Sequence, residues 1–243
     1  MRSVSLGKRI DDGLRLIGDL MSDNRTRRAL LDPMTEARYL LRRTPFGSIA
    51  VLWSIHEYQP HIFRVLLSRP ELPADDAIRV LFRASRPGSC AEIDLITGQM
   101  EAFLVGEDIS FPLDTVRLDL CSDFQQRVLR AEHAIPRGKI STYRLIARFV
   151  GQPAGARAIG TALATNPFPI IVPCHRTIRS DRMLGGYQGG QAMKRALLEM
   201  EGIHFDSMGR VATPDFCNWS GRLDAVAANL RRRVPQAHRG AGG

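Results

Sequence analysis

The sequence predicts an α+β fold, with a three-stranded antiparallel sheet and helices in the first half and a mostly helical second half. Two observations carry this. Three extended, apolar stretches at 36–43, 47–55 and 61–68 are separated by only a few residues, a spacing that favours antiparallel neighbours. After residue 122, apolar residues instead recur at helical spacing in short runs punctuated by Gly, Pro and Asn. With 243 residues and 44% apolar content, the chain can bury a core without disulfides.

Taken in order, Leu6, Ile10, Leu14, Ile17 and Met21 predict an amphipathic helix ahead of the main fold, stopped near Asn24. Strands 36–43 and 47–55 join across "TPFG", and "HIFRVLLS" supplies the third. "PADDAIRVLFRAS" reads as a helix whose early Asp75 and Asp76 suit its positive end. "EIDLITGQMEAFLVG" reads as a second helix despite Gly98, and 109–118 as a returning extended strand. A boundary near 119–122 divides an N-terminal extension (1–35) and an α/β domain (36–118) from a second domain (119–213) and a C-terminal extension (214–243). In the second domain Ser122 or Asp123 caps "FQQRVLRAEHAI", and Ser141 or Thr142 caps "STYRLIARFV". Gly151 and Pro153 break the chain before "AGARAIGTALATN". Two short helices around this turn, with Ala147 and Gly151 four residues apart, outline a helix-turn-helix. "LGGYQGG" lacks the Lys-Ser/Thr pair of a phosphate loop, so its glycines are expected to let backbone pass close to a flat ligand or another segment. "QAMKRALLEMEG" is a helix stopped at Gly202, 203–213 a hairpin, and the Arg- and Gly-rich tail is expected to be disordered at its end.

The net charge of +9 points to a polyanionic partner, of which nucleic acid is the commonest. Of 34 basic residues only Lys8, Lys139 and Lys194 are lysines. Arginine suits bidentate phosphate recognition, although a GC-rich coding sequence produces the same bias. Cys90, Cys121, Cys174 and Cys217 are widely and irregularly spaced, which argues against a zinc site, and no metal or cofactor is expected. Met1 to Met21 lacks the apolar core of a signal peptide, and no run reaches the roughly 18 apolar residues of a membrane span. A reducing cytoplasm is expected, at the nucleoid or in a nucleus, with no membrane partner.

The chemistry concentrates in "NPFPIIVPCHRTI". An apolar run, Phe168 to Val172, reads as a buried strand that stops at Pro173 and delivers Cys174, His175 and Arg176 together. A free thiol near pKa ~8.5 is mostly protonated at neutral pH and needs a base or a positive environment to act as a nucleophile. Adjacent residues of a strand point to opposite faces, so a Cys-His contact requires a turn at Pro173–Cys174 or a bridging water. A histidine base is usually oriented by a third group, and Asp181, Glu199 and Glu201 all qualify by position.

"PCHRTI", "LGGYQGG" and "KRALLEMEG", preceded in order by "FQQRVL", "IPRGKISTYRLIA", "GARAIGTALATNP" and "IIVPCHR", resemble the O6-alkylguanine-DNA alkyltransferase family. The resemblance is strong over 122–213 and weak over 37–118. It implies a ribonuclease-H-like N-terminal domain and a C-terminal domain with a winged helix-turn-helix. The implied activity is direct-reversal repair: a single-turnover transfer of the alkyl group from O6-alkylguanine, and O4-alkylthymine, in double-stranded DNA. Cys174 is then the acceptor, His175 takes its proton through a water, and Glu201 orients the imidazole. Asn166 ties the second helix of the motif to the active-site loop, and the Tyr143 hydroxyl faces the base. Arg157 fits the family's arginine finger, which fills the gap left by a flipped base. Ala156, Ala158, Gly160, Thr161 and Ala164 form a small-residue face for the minor groove, with Tyr143 and Ser180 also meeting DNA. Pro173, Thr177, Leu163, Tyr187 and Gln188 are expected around the substrate. A monomer that cooperates on DNA is also expected.

Two positions depart from the family pattern. Thr177 stands where valine is usual and adds a hydroxyl, and Arg182 stands where glycine is common and puts a side chain near the loop over the pocket. The zinc-binding module of adaptive-response relatives has no counterpart, which speaks against a transcriptional role. A second reading is a non-catalytic lesion binder, but such relatives commonly carry Trp in place of the cysteine. A third, a Cys-His hydrolase, is disfavoured by the basic charge and the helix-turn-helix.

Overall fold

The computed structural model describes residues 36–212 and 214–217. The helix expected over Leu6–Met21 and most of the C-terminal extension lie outside the described residues. The fold is α+β, with a mixed four-stranded sheet and six α-helices among the described residues.

Strands β1 (Arg38–Thr44), β2 (Gly47–His56) and β3 (Gln59–Leu67) form an antiparallel meander. Thr44 Oγ1 closes the first turn by donating to the Gly47 carbonyl at 2.6 Å, and Gly47 takes φ +92°. The second turn places Glu57 and Tyr58 at positive φ, the backbone that a two-residue hairpin linking twisted strands requires. The sheet gains a fourth strand absent from the sequence reading: β4 (Arg86–Pro87) pairs parallel to the start of β1. Two residues ending in a proline carry no strand signature, and only the tertiary position of the chain pairs them.

Helix α1 (Ala74–Leu81) covers one face of the sheet through Ala50, Leu52, Phe63 and Leu66. Helix α2 (Ala91–Leu104) and the second half of the chain cover the other, through Ile49, Val51, Trp53 and Val65. Burial on both faces explains why "IAVLW" reads as a continuous apolar run and not as an alternation. The core on this second face is contiguous with Val128, Ile146, Ile159 and Phe168, so the two halves share it.

Residues 109–118 do not form the expected strand. They make an irregular crossing with two single-turn 3-10 helices, Leu113–Thr115 and Leu118–Leu120, and one isolated bridge from Val116 to Ile62. Pro112 removes a ladder donor, and the Thr115 hydroxyl closes a local turn on the Pro112 carbonyl at 2.7 Å.

In the second half, α3 (Asp123–His133) is capped by Ser122, whose hydroxyl accepts from the Gln125 amide. Helix α4 (Tyr143–Phe149) is capped by Thr142, which accepts from the Leu145 amide. After Gly151, at φ +76°, α5 (Ala156–Ala164) packs against both α3 and α4. Helix α6 (Gly190–Met200) ends where Gly202 turns the chain at φ +85°. The expected hairpin over 203–213 is a short one: Phe205 and Val211 bridge antiparallel, flanked by the Ala212 amide donating to the His204 carbonyl at 2.9 Å and the Asp206 amide to the Arg210 carbonyl at 2.8 Å. A two-residue parallel pair, β5 (Ser141–Thr142) with β6 (Thr177–Ile178), docks the cap of α4 beside residues 174–176 and thereby positions the site.

Candidate active site

The Phe168–Val172 run is buried but is not a strand. It folds back on itself, with the Val172 amide donating to the Phe168 carbonyl at 2.8 Å and Ile170 at φ +76°. Pro167, Pro169 and Pro173 each lack an amide donor, so the segment cannot sustain a ladder. Asn166, completely buried, supplies the missing partners. Its Oδ1 accepts from the Phe168 amide at 2.9 Å, and its Nδ2 donates to the Val172 carbonyl at 3.1 Å. The same Nδ2 also lies 3.2 Å from Cys174 Sγ, so the side chain that shapes the loop also donates to the sulfur.

Cys174–Arg176 form a single 3-10 turn after Pro173, with Cys174 6% exposed and His175 fully buried. His175 Nε2 lies 2.9 Å from Glu201 Oε1. Arg176 engages the same carboxylate through Nε at 2.9 Å and Nη2 at 2.8 Å, and donates from Nη1 to the Ile135 carbonyl at 2.6 Å. Of the three carboxylates that position alone left open, Asp181 pairs with exposed Arg179 and Glu199 with exposed Arg195; Glu201 is the one in contact with His175.

Burial alone would raise the Glu201 carboxyl, but the hydrogen bonds from His175 and Arg176, with the Arg176 charge and, at the low pH where Glu201 titrates, that of protonated His175, outweigh it and hold the group at about 2. Glu201 is therefore an acceptor only, so His175 Nε2 carries a proton toward it and Nδ1 carries the lone pair. Nδ1 is buried without a hydrogen-bond partner among the described residues. Burial pushes the imidazole below its ordinary pKa, so at neutral pH it is an uncharged base. Burial pushes the Cys174 thiol up to about 12, against the opposing effects of the Asn166 hydrogen bond and the Lys194 charge. The resting group is a thiol that receives an amide hydrogen bond and is followed in the chain by an uncharged imidazole.

Cys174 opens on a cavity of about 420 Å³ shared with Tyr143, Gly160, Leu163, Ala164, Gly186, Tyr187 and Gln188. Leu66, Leu67, Leu72 and Arg69 of the first half close its other side. Tyr143, the first residue of α4, is pushed up to about 12 by burial and the neighbouring Glu132 and Cys174 charges, and keeps its proton. A Cβ at Gly185, which has φ +74°, would sit 2.8 Å from the Tyr143 hydroxyl, so only glycine lets the loop pass here. Gln188 donates to the Asn166 carbonyl at 2.6 Å and ties the loop to the end of α5.

Of the expected substrate-pocket residues, Leu163, Tyr187 and Gln188 line this cavity, but Pro173 and Thr177 do not. Pro173 lines a second cavity on the far side of the turn, beside Phe111 and Arg137. Thr177 is fully buried in β6, with its hydroxyl donating to Glu132 Oε2 at 2.6 Å. Arg182 takes φ +67°, which accounts for glycine being suited there, and its guanidinium turns to the Ala212 carbonyl at 3.3 Å, away from the cavity lining. On α5, Arg157, Thr161 and Ala164 are exposed, Ala156 and Gly160 partly so, while Ile159, Ala162 and Leu163 face inward. Ser180 is exposed in the turn before the glycine loop.

Sequence reasoning missed Glu132 and Lys194, both completely buried next to this turn. A signal existed for Glu132, which shares one helical face with Val128, Ala131 and Ile135 at positions i, i+3, i+4 and i+7.

Residues 123–203 match the family signature described as 6-O-methylguanine DNA methyltransferase, DNA binding domain. A methylated-DNA–protein-cysteine methyltransferase of Methanothermobacter thermautotrophicus is 43% identical over 114 residues, 47% of this chain and 64% of that protein. The match thus spans less than two thirds of that curated relative's length. The crystal structure of Mycobacterium tuberculosis O6-methylguanine methyltransferase superposes with a TM-score of 0.55 at 32% identity, covering 68% of this chain and 92% of that one. A structure of the same mycobacterial protein in complex with DNA superposes with a TM-score of 0.52, covering 91% of that chain. With that structural relative matched over nearly its whole length, the chain belongs to the 6-O-methylguanine DNA methyltransferase family.

Proposed function

We propose that the protein repairs O6-alkylguanine, and O4-alkylthymine, in duplex DNA by moving the alkyl group irreversibly onto Cys174. The observation that carries this is the junction at Cys174: a thiol held by Asn166, followed by an uncharged His175 anchored on Glu201, opening on a cavity it shares with the Tyr143 hydroxyl. The cavity's second wall is the end of α5, whose exposed face is built of small residues around Arg157.

In this reading α4 and α5 act as a helix-turn-helix laid in the minor groove, where Ala156, Gly160, Thr161 and Ala164 let the backbone approach closely. The damaged nucleotide rotates out of the duplex into the cavity, at a cost of about a few kcal/mol. Arg157 fills the stack. The sulfur attacks the alkyl carbon in line with the C–O6 bond. The thiol proton passes to His175 Nδ1, directly or through water, and the Asn166 amide stabilises the sulfur as charge builds on it. The C–O6 electron pair leaves with the base, whose negative charge is met by the Tyr143 hydroxyl. The proton lost from the thiol is made good on the base, so that, net, an S–H and a C–O bond are exchanged for an S–C bond and the N–H bond of neutral guanine. The thioether has no leaving partner, so each molecule reacts once.

Mixing the protein with duplex oligonucleotide holding one O6-methylguanine tests this. Guanine should be regenerated to a limit of one lesion per protein molecule, however large the excess of DNA. Turnover beyond one, or binding without loss of the lesion, contradicts the reading.

The finger role has its own signature. Arg157→Ala should slow repair in duplex by roughly 10- to 100-fold, the equivalent of about 1.4 to 2.7 kcal/mol of the flipping cost, yet change reaction with free O6-benzylguanine little. Equal losses with both substrates would remove the role.

A further inference from the structure

Glu132 is the one buried charged side chain of α3, and the transfer chemistry does not use it. One carboxyl oxygen accepts from the Thr177 hydroxyl at 2.6 Å; the other is buried with no hydrogen-bond partner among the described residues. Thr177 follows the Cys174–Arg176 turn directly and is held from its other side by Lys194, whose Nζ donates to the Thr177 carbonyl at 2.6 Å. Lys194 also donates to the Gly186 carbonyl of the glycine loop at 3.3 Å. A half-satisfied, fully buried carboxylate is costly in its charged form. Burial accordingly pushes Glu132 up to about 7, against the Thr177 hydrogen bond and the Lys194 and Arg176 charges.

The charged and titratable groups around it are few. Lys194 comes from α6, Arg176 and Cys174 from the 3-10 turn, and Tyr143 from α4. On α3 itself His133 turns to the Phe111 carbonyl, and α5 contributes no buried charge. Arg176 is committed to Glu201, and Lys194 to two carbonyls. When Glu132 is ionised, its charge opposes ionisation of both Cys174 and Tyr143.

We infer that Glu132 is a positioning residue for alkyl transfer: held through Thr177 beside the reactive turn, it carries a removable negative charge, and Cys174 yields its proton more readily when that carboxyl is neutral. The inference rests on the alkyl-transfer reading. Its consequence is a flattened pH–rate curve, because the gain from a more easily ionised thiol at higher pH is offset as Glu132 charges. Thr177 is then not a neutral replacement for valine but the residue that gives the carboxyl its place.

The test is the single-turnover rate of methyl transfer from O6-methylguanine duplex between about pH 6 and 8.5, for the wild type and Glu132→Gln. Glutamine keeps an acceptor for Thr177 and removes the charge. The variant should match the wild type near pH 6 and exceed it several-fold by about pH 7.5, where Glu132 is mostly ionised and Lys194, pulled down to about 8 by burial, still keeps most of its charge. If Glu132→Gln folds poorly, the double variant Glu132→Leu/Thr177→Val supplies the same comparison without a buried polar group. Parallel profiles, or a variant slower at every pH, overturn the inference. No transfer by the wild type itself would instead overturn the reading on which it rests.

Discussion

Cys174→Ser is expected to abolish transfer, by about 10⁴-fold or more, while leaving the fold and DNA binding in place. Burial already holds the thiol at about 12, and an alcohol in the same place ionises far less readily. Oxygen is also the poorer nucleophile toward an alkyl carbon. The substitution is otherwise mild. Serine is slightly smaller, and its hydroxyl can still accept from Asn166 Nδ2, so the loop that Asn166 organises keeps its hydrogen bonds. Thermal unfolding and DNA affinity should therefore stay near wild type while single-turnover transfer disappears. Residual transfer above a hundredth of the wild-type rate would mean that another group accepts the alkyl chain.

Glu201→Gln should do damage of a different kind, lowering both stability and rate. The carboxylate is shared between His175 and a doubly bonded Arg176, all buried. Removing its charge leaves a guanidinium with little water and no counter-ion, a loss of about 3–5 kcal/mol when one partner of a buried pair is deleted. The rate should fall by about 10²–10⁴, the usual worth of a positioned acid–base group. The amide can offer His175 an N–H as well as a carbonyl, so the tautomer with a free Nδ1 is no longer enforced. Stability shows the sign of the pH effect. Glu201 is held at about 2, below its unfolded value, so its contribution is complete above the unfolded pKa and is lost as pH falls through the folded one. Denaturant midpoints of wild type and variant should converge as pH drops toward 2. A constant gap across that range would place the loss outside the ion pair.

Much of this arrangement was legible in the sequence, for reasons that differ by element. The caps at Ser122 and Thr142 and the stop at Gly202 are local chemistry, and local chemistry decides them. The meander 38–67 is legible because its connections are too short for any other pairing. The run Phe168–Val172 misled because apolar residues read alike in a strand and in a buried loop. The prolines at 167, 169 and 173 were the available warning, and Asn166 was the residue able to replace a ladder. The strand expected at 109–118 failed for the related reason that Pro112 removes a ladder donor. In the site, Cys174 and His175 stand out as a pair, whereas position alone leaves Asp181, Glu199 and Glu201 equal: Glu201 is chosen only through the family resemblance, and the contact that matches that choice spans 26 positions. Glu132 is the harder case. An acid in a charged helix reads as solvated, and only its place on the Val128–Ile135 face says otherwise.

The central claim is that the sulfur of Cys174 is the final home of the alkyl group. It is tested most directly by the peptide mass spectrum of the protein after reaction with O6-methylguanine duplex. The peptide holding Cys174 should gain one methyl in place of a hydrogen, in step with the guanine regenerated, while those holding Cys90, Cys121 and Cys217 stay unchanged. An unmodified Cys174 alongside repaired DNA, or the methyl on another residue, would contradict the account.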